Sequence, residues 1–315
     1  MSKLFKKYIF LLKLNLCIWC IIKFFSYIIN QLKANKTKIC LCTLGKNENK
    51  YITEFVEHYK KYGVDKIFIY DNNNLNGERF EEVIMKYIEN GFVEIRNWRG
   101  IEKAQFKIMK DCYETNFDKF DWLIFYDIDE FIYLKYFKSI KAFLSQSKFN
   151  KCKKVELNWI HKVEKGISLY YDNRPLKIRF NKRESNIYKK SFYPQIKSII
   201  RGNIKNITFD CVHLLAHNIK SCDGFGRLSN TNGVKTLNPD FKKYYINHYY
   251  GKSLQEFVEK ILNGCASLGK TNTTMLAKIN RYFEIYNIDK KKIDYIENKT
   301  GLDLSFYKAK VVQRL

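Results

Sequence analysis

From Lys38 onward the alternation of apolar and polar runs is regular. KICLCTL reads as a first buried strand and KIFIYD, residues 66 to 71, as a second. Between them Ile52, Phe55, Val56 and Tyr59 recur at helical spacing, and Gly63 supplies a helix stop. The pattern next predicts a helix around Phe80 to Tyr87, a strand FVEIRNW, a helix around Gln105 to Tyr113 and a strand WLIFY. Strands alternating with helices imply right-handed βαβ units: an α/β fold with a mostly parallel central sheet flanked by helices. In such sheets ligands sit beyond the carboxyl ends of the strands. Those ends are polar here, at Thr43 to Glu48, Asp71 to Asn74 and Asp127 to Glu130.

Residues 150 to 250 carry further strand-like runs, KVELNWI, LKIRF and SIIRG, in an order the pattern does not resolve. In LQEFVEKIL, Leu254, Phe257, Val258, Ile261 and Leu262 share one helical face, and the tail from Asp289 reads as surface helix and loop. No internal repeat is visible. The expected organisation is an N-terminal apolar segment over 1–37, a main domain over 38–252 and a helical extension over 253–315.

The apolar segment is marginal for a bilayer. From Tyr8 to Ile29 there are thirteen Leu, Ile and Phe residues and two lysines, Lys13 and Lys23. At about −0.3 to −0.6 kcal/mol for each of the former and about +2.5 to +3.5 for a central lysine, the sum is near zero. Snorkelling of the off-centre lysines favours insertion, and an interfacial helix held on anionic lipid by Lys3, Lys6, Lys7, Lys33, Lys36 and Lys38 is the other option. Membrane association is expected and its type stays open. No small-residue cleavage site follows the run, which argues against a removed signal peptide.

The 315-residue chain carries a formal net charge of +25, which favours phosphates, nucleotides, nucleic acid or anionic lipid. A richness in Lys, Asn, Ile, Tyr and Phe also fits biased codon usage, so the charge alone names no partner. Nine cysteines form no zinc-type pattern, and free core thiols rather than a disulfide scaffold are expected.

Candidate chemistry concentrates in DWLIFYDIDEF, where an apolar strand runs into Asp127, Asp129 and Glu130. On a strand the two aspartates would lie about 6 to 7 Å apart on one face, where a cation would offset their repulsion. GCASLGKT, residues 264 to 271, matches a phosphate loop, but an amphipathic helix rather than a strand precedes it, and Gly264 reads as that helix's cap. No glycine-rich dinucleotide fingerprint follows the first strand, whose turn holds Gly45 alone. No nucleophile elbow or H-E-x-x-H occurs; His58, His213 and His217 read as structural. His248, between tyrosine pairs and before Gly-Lys-Ser, is the one histidine with a metal-capable setting.

Taken together, KNENKYITEFVEHYKKYGVDKIFIYDNN, FYDIDEF, KSIIRG and INHYYGKSLQEF resemble the family-92-like and family-2-like glycosyltransferases over about Lys38 to Lys260. The resemblance implies a GT-A fold, a nucleotide-sugar donor, Mn2+ or Mg2+, and inverting transfer to a glycan, glycoprotein or glycolipid hydroxyl. It implies Asp129 and His248 as metal ligands, with Asp127 acting through water or on the donor ribose. Lys46, Asn47, Glu48, Asp71, Gln105 and Lys252 would line the donor. Lys46 stands where the family commonly has arginine, and NWIHKVEKG is less glycine-rich than its counterpart. The base is unplaced among Glu130, Asp223, His217 and Glu156. A P-loop NTPase using Gly264–Thr271, or a basic binding protein for membrane or nucleic acid, is the alternative; on the transferase reading no nucleic-acid partner is expected. The setting is a Golgi-type lumen in a eukaryote or the cytoplasmic face of a bacterial inner membrane, and four N-x-[ST] sites (Asn35, Asn206, Asn272, Asn298) allow the former.

Overall fold

A computed structural model describes residues 3–163, 168–180, 182–183, 194–209, 213, 215–263, 271–286 and 288–312. Helix α1 (Lys3–Lys36) leads into β1 (Ile39–Gly45), α2 (Asn49–Lys61), β2 (Lys66–Asp71), α3 (Glu81–Glu89), β3 (Val93–Asn97), α4 (Gln105–Asn116) and β4 (Trp122–Phe125). This half follows the sequence pattern closely. β3–β2–β1–β4 are mutually parallel neighbours, so the carboxyl ends of β1, β2 and β4 open on one edge.

The second half departs from the expected parallel order. It comprises β5 (Glu130–Leu134), α5 (Ile140–Leu144), β6 (Lys154–Val163), α6 (Leu176–Arg179), β7 (Lys182–Arg183), β8 (Ile196–Arg201) and β9 (Ser221–Asp223). A small hairpin of β10 (Thr231–Asn232) and β11 (Lys235–Thr236) precedes β12 (Tyr244–His248). β8 pairs antiparallel with both β4 and β6, and β12 lies between β6 (parallel) and β5 (antiparallel). The sheet is therefore mixed rather than mostly parallel. LKIRF, expected as a strand, is the short helix α6: Pro175 stands at its N-cap and Glu54 of α2 accepts from the Leu176 (2.7 Å) and Lys177 (3.3 Å) amides.

Helices α7 (Leu254–Leu262), α8 (Asn272–Ile285), α9 (Lys290–Thr300) and α10 (Ser305–Val312) close the chain. Ile293, Ile296 and Leu304 of the tail are fully buried against α7 and α8, so this end is a packed core rather than surface helix. Gly251 fits the seam because a Cβ there would overlap the Tyr286 ring at the end of α8. Among the described residues no helix is long and apolar enough to cross a membrane.

The expectation of free thiols holds for buried Cys40, Cys42 and Cys112 and fails for Cys152 and Cys222, which form a disulfide with Cα atoms 5.8 Å apart. β6 and β9 pair in parallel from Lys154 and Ser221 onward, which brings the two cysteines together across 70 residues of chain. Closing a loop of that length stabilises the fold by about 4 kcal/mol on the chain-entropy account. Urea unfolding with and without a reductant checks this: reduction should lower the stability by that amount, and Cys152→Ser should be insensitive to reductant. A wild-type midpoint that ignores reduction would sink it.

Candidate active site

The Asp-Ile-Asp stretch is a turn, not the continuation of a strand. β4 ends at Phe125, and the Glu130 amide donates to the Asp127 carbonyl (2.9 Å) as β5 begins. Ile128 points inward against the end of β1, where Gly45 makes room: a Cβ there would lie 2.5 Å from the Ile128 side chain. The strand-spaced arrangement expected for the two aspartates is thus absent, and each has its own partners.

Asp129 is buried and central. Its Oδ2 accepts from Lys260 (2.7 Å) and Lys252 (3.4 Å), and its Oδ1 lies 3.5 Å from His248 Nε2. Burial would raise its pKa, but Lys260, Lys252 and His248 outweigh that and hold it well below the usual carboxylate range. Asp127, a third exposed, accepts from Lys197 (2.8 Å), which also lies 3.3 Å from the fully buried Glu130. Burial pushes the Glu130 carboxyl well up, against the pull of Lys197.

Sheet register explains why these groups meet. His248 stands opposite Glu130 on β5 and His161 on β6. One ligand atom each from Asp129, Glu130 and His248 lie within 4.8 Å of one another. Burial pushes His248 down to about 4, so its imidazole is neutral at physiological pH. Its Nδ1 has no hydrogen-bond partner among the described residues. Carboxylates plus a neutral imidazole suit a divalent cation such as Mn2+, so the residues present fit such an ion.

Asp129 and His248 of this cluster line a cavity of about 730 Å3, large enough for a nucleotide-sized ligand, with Glu130 enclosed behind them. Of the positions singled out in the sequence, Lys46, Asn47, Glu48, Gln105, Asp127, Asp129, His248 and Lys252 line it. Burial pushes Glu48 up to about 7, with Lys252, 4.0 Å away, opposing. Asp71 acts one residue removed: it accepts from Asn73, whose Oδ1 accepts from the Asn47 amide (2.7 Å). Arg99 donates to Asp71 and to the carbonyls of Asn74, Gly77 and Glu78, so one buried guanidinium shapes the loop that carries Asn72 and Asn74 to the cavity wall.

Sequence reasoning missed Lys197, Lys260, Trp159, His213 and Arg281. The Trp159 ring packs against His248 at 4.0 Å, tilted, and meets His213 edge-on at 4.8 Å. The one signal for Lys260 is its place four residues after Glu256, on the helix face toward the cavity. The four base candidates do not line the cavity. Glu130 is enclosed, Glu156 pairs with Lys154 (2.9 Å), Asp223 pairs with Arg227 (2.6 Å), and the exposed His217 meets Thr208 (3.1 Å). The phosphate-loop match lies outside the described residues but for Thr271, whose hydroxyl is spent capping α8 by accepting from the Thr274 amide (3.1 Å).

The model of glycosyltransferase family 92 matches residues 35–286. A family 92 protein of Arabidopsis thaliana is 33% identical over 98 residues, covering 31% of this chain and 17% of that protein. One of Ricinus communis is 34% identical over 100 residues, again 31% and 17%. The matched stretch is thus a small part of these relatives' length. Among solved structures, S. aureus TarS aligns over 84% of this chain and 79% of its own, at 14% identity and TM-score 0.39. A mannosyltransferase of Pyrobaculum calidifontis, solved with GDP-Man and Mn2+, aligns over 88% and 76%, at 8% identity and TM-score 0.41. Likenesses at that level assign neither fold nor ligand to this chain.

Proposed function

The chain belongs to glycosyltransferase family 92, and from that premise we propose that it transfers a sugar from a nucleotide-sugar donor to a hydroxyl of a glycan, glycoprotein or glycolipid. The GT-A assignment, inversion at the sugar carbon and dependence on Mn2+ or Mg2+ belong to the same reading. The observation that carries it is the buried Asp129–Glu130–His248 cluster at a cavity beside the strand ends.

Asp129, Glu130 and His248 would hold the cation. Bound there, it supplies Lewis-acid stabilisation of the charge on the departing diphosphate. The protein's own groups share that work. Lys252 and Lys260 present two ammoniums beside Asp129, able to turn to phosphate oxygens, with Lys252 buried and Lys260 a third exposed. Lys197 fixes Asp127, leaving its exposed oxygen to accept from a donor hydroxyl. Lys46, Asn47, Glu48 and Gln105 orient the nucleotide end, and Asp71 and Arg99 hold their loop. Neither the NTPase nor the basic-binding reading is favoured, since neither uses this cluster.

Membrane attachment through residues 1–37 is part of the proposal. Leu16, Trp19, Ile22, Phe24, Phe25 and Leu32 of α1 are all exposed, an apolar surface that water does not favour and lipid would cover. The Cys152–Cys222 bond supports an oxidising, Golgi-type lumen over a cytoplasmic face.

Titrating the full chain with UDP, GDP, CMP and ATP, with and without Mn2+, tests the function. Binding of UDP or GDP that Mn2+ strengthens is the expected result and names the donor class. Binding of ATP alone would overturn the reading.

A further inference from the structure

Arg281 of α8 is a cation without a counter-ion among the described residues. It lies half-buried on the cavity wall; its Nη2 donates to the neutral Gln195 amide oxygen (2.6 Å), and its Nε has no partner among the described residues. No carboxylate of the described residues lies within 4 Å of it, whereas Arg96, Arg99 and Arg179 each hold one. Taking a guanidinium out of water without an anion is costly, and the cost is offset where an anionic ligand binds.

The position indicates which anion. The guanidinium carbon is 5.8 Å from the Trp159 ring, which itself packs against His248, and 5.2 Å from the Tyr250 ring. Lys260 Nζ is 5.1 Å from that same Tyr250 ring and 2.7 Å from Asp129. Lys278, one turn before Arg281, lines the same wall. A planar fork and two ammoniums thus face the space beside the proposed cation cluster. That charge pattern matches a diphosphate, whose oxygens can bridge a cation and accept a bidentate guanidinium.

We infer that Arg281, with Lys278 and Lys260, forms the wall that binds the donor's diphosphate, so that α7 and α8 are part of the donor site and not an appendage to it. This rests on the transferase reading above and adds residues that neither the Asp-Ile-Asp turn nor the Gly-Lys-Ser turn contains.

Calorimetric titration of the full chain with UDP, UMP, GDP and GMP at saturating Mn2+ tests it. Arg281→Met should weaken binding of the favoured diphosphate about 10- to 100-fold, the effect of losing charge-assisted hydrogen bonds, and of the matching monophosphate less than about threefold. Arg281→Lys should recover only part of the loss, because an ammonium lacks the fork. Gln195→Leu removes the same side-chain bond but keeps the charge, and should retain most of the diphosphate affinity. Equal losses in Gln195→Leu and Arg281→Met would mean a structural effect and overturn the inference, as would an unchanged Arg281→Met. Failure of the wild-type chain to bind either diphosphate would instead bring down the transferase reading itself.

Discussion

Asp129→Asn is expected to lower the release of nucleoside diphosphate from the donor by about a thousandfold while leaving the chain folded. The size follows from removing a preorganised charge at the place where charge develops, which costs about 10²–10³ in rate for a single neutral donor and no less here. Among the described residues, Asp129 is the one carboxylate that touches Lys252, Lys260 and His248 together. Without its charge the two ammoniums lose their shared anchor, and the proposed cation loses its central ligand. Stability should suffer far less. The asparagine carbonyl still accepts from Lys260, the Lys260 side chain is a third exposed, and Glu48 remains 4.0 Å from Lys252. The loss should stay within about 1–3 kcal/mol. Assays of diphosphate release from the nucleotide-sugar that the wild-type chain turns over, paired with thermal melts, decide the matter. A variant with wild-type turnover would remove Asp129 from the chemistry, and one that no longer melts cooperatively would make it structural.

The first half of the fold was legible because each element carries its own periodicity. In α2, Ile52, Phe55, Val56 and Tyr59 are the buried face, and β1, β2 and β4 are apolar runs ending at polar turns. The second half was not, because its order depends on pairings between distant segments. β4 meets β8 across more than seventy residues, and nothing local in SIIRG states whether it will run parallel or antiparallel. LKIRF failed for a related reason: four residues fit either period, and the deciding groups are a preceding proline and a carboxylate on α2. The disulfide was likewise invisible, since spacing alone does not pair cysteines.

At the site the sequence was informative where chemistry broke a pattern. Carboxylates at the end of an apolar strand marked Asp127, Asp129 and Glu130, and a histidine before Gly-Lys-Ser marked His248; Asp129, Glu130 and His248 come together, while Asp127 turns to Lys197. Their geometry was misjudged, because a tight turn replaces the strand that would have put the aspartates side by side. Lysines gave no such contrast. In a chain with 57 Lys and Arg, nothing local distinguishes Lys197 from a solvated surface cation, and only its spacing from Glu256 marks Lys260. Only the assembled sheet and the returning α7 show that one is wholly buried and the other sits on Asp129.

Glu256→Gln should produce the largest loss of stability, about 3 to 5 kcal/mol at neutral pH, with a pH dependence that identifies its cause. Glu256 and Arg179 are both almost fully buried and paired (2.5 Å), and breaking such a pair from one side strands the other charge. Tyr51 also donates to Glu256, and the Ser253 amide donates to it (2.8 Å) in the capping box that starts α7. Burial alone would raise the carboxyl, but the bonds from Arg179, Ser253 and Tyr51 prevail and hold it at about 2, against 4.5 unperturbed. A depressed carboxylate stabilises the fold above its unfolded pKa, and that contribution is lost as pH falls through the folded value. Here the loss, about 3 kcal/mol, runs from about pH 4.5 down to about 2. Urea unfolding at pH 7 and pH 3 should therefore show the gap between wild type and variant narrowing toward acid. A gap that stays constant would mean that packing, not charge, makes the site. Because the pair and Tyr51 join α2, α6 and α7, they fix the helix that brings both cavity-lining Glu256 and the Asp129-bound Lys260 to the site.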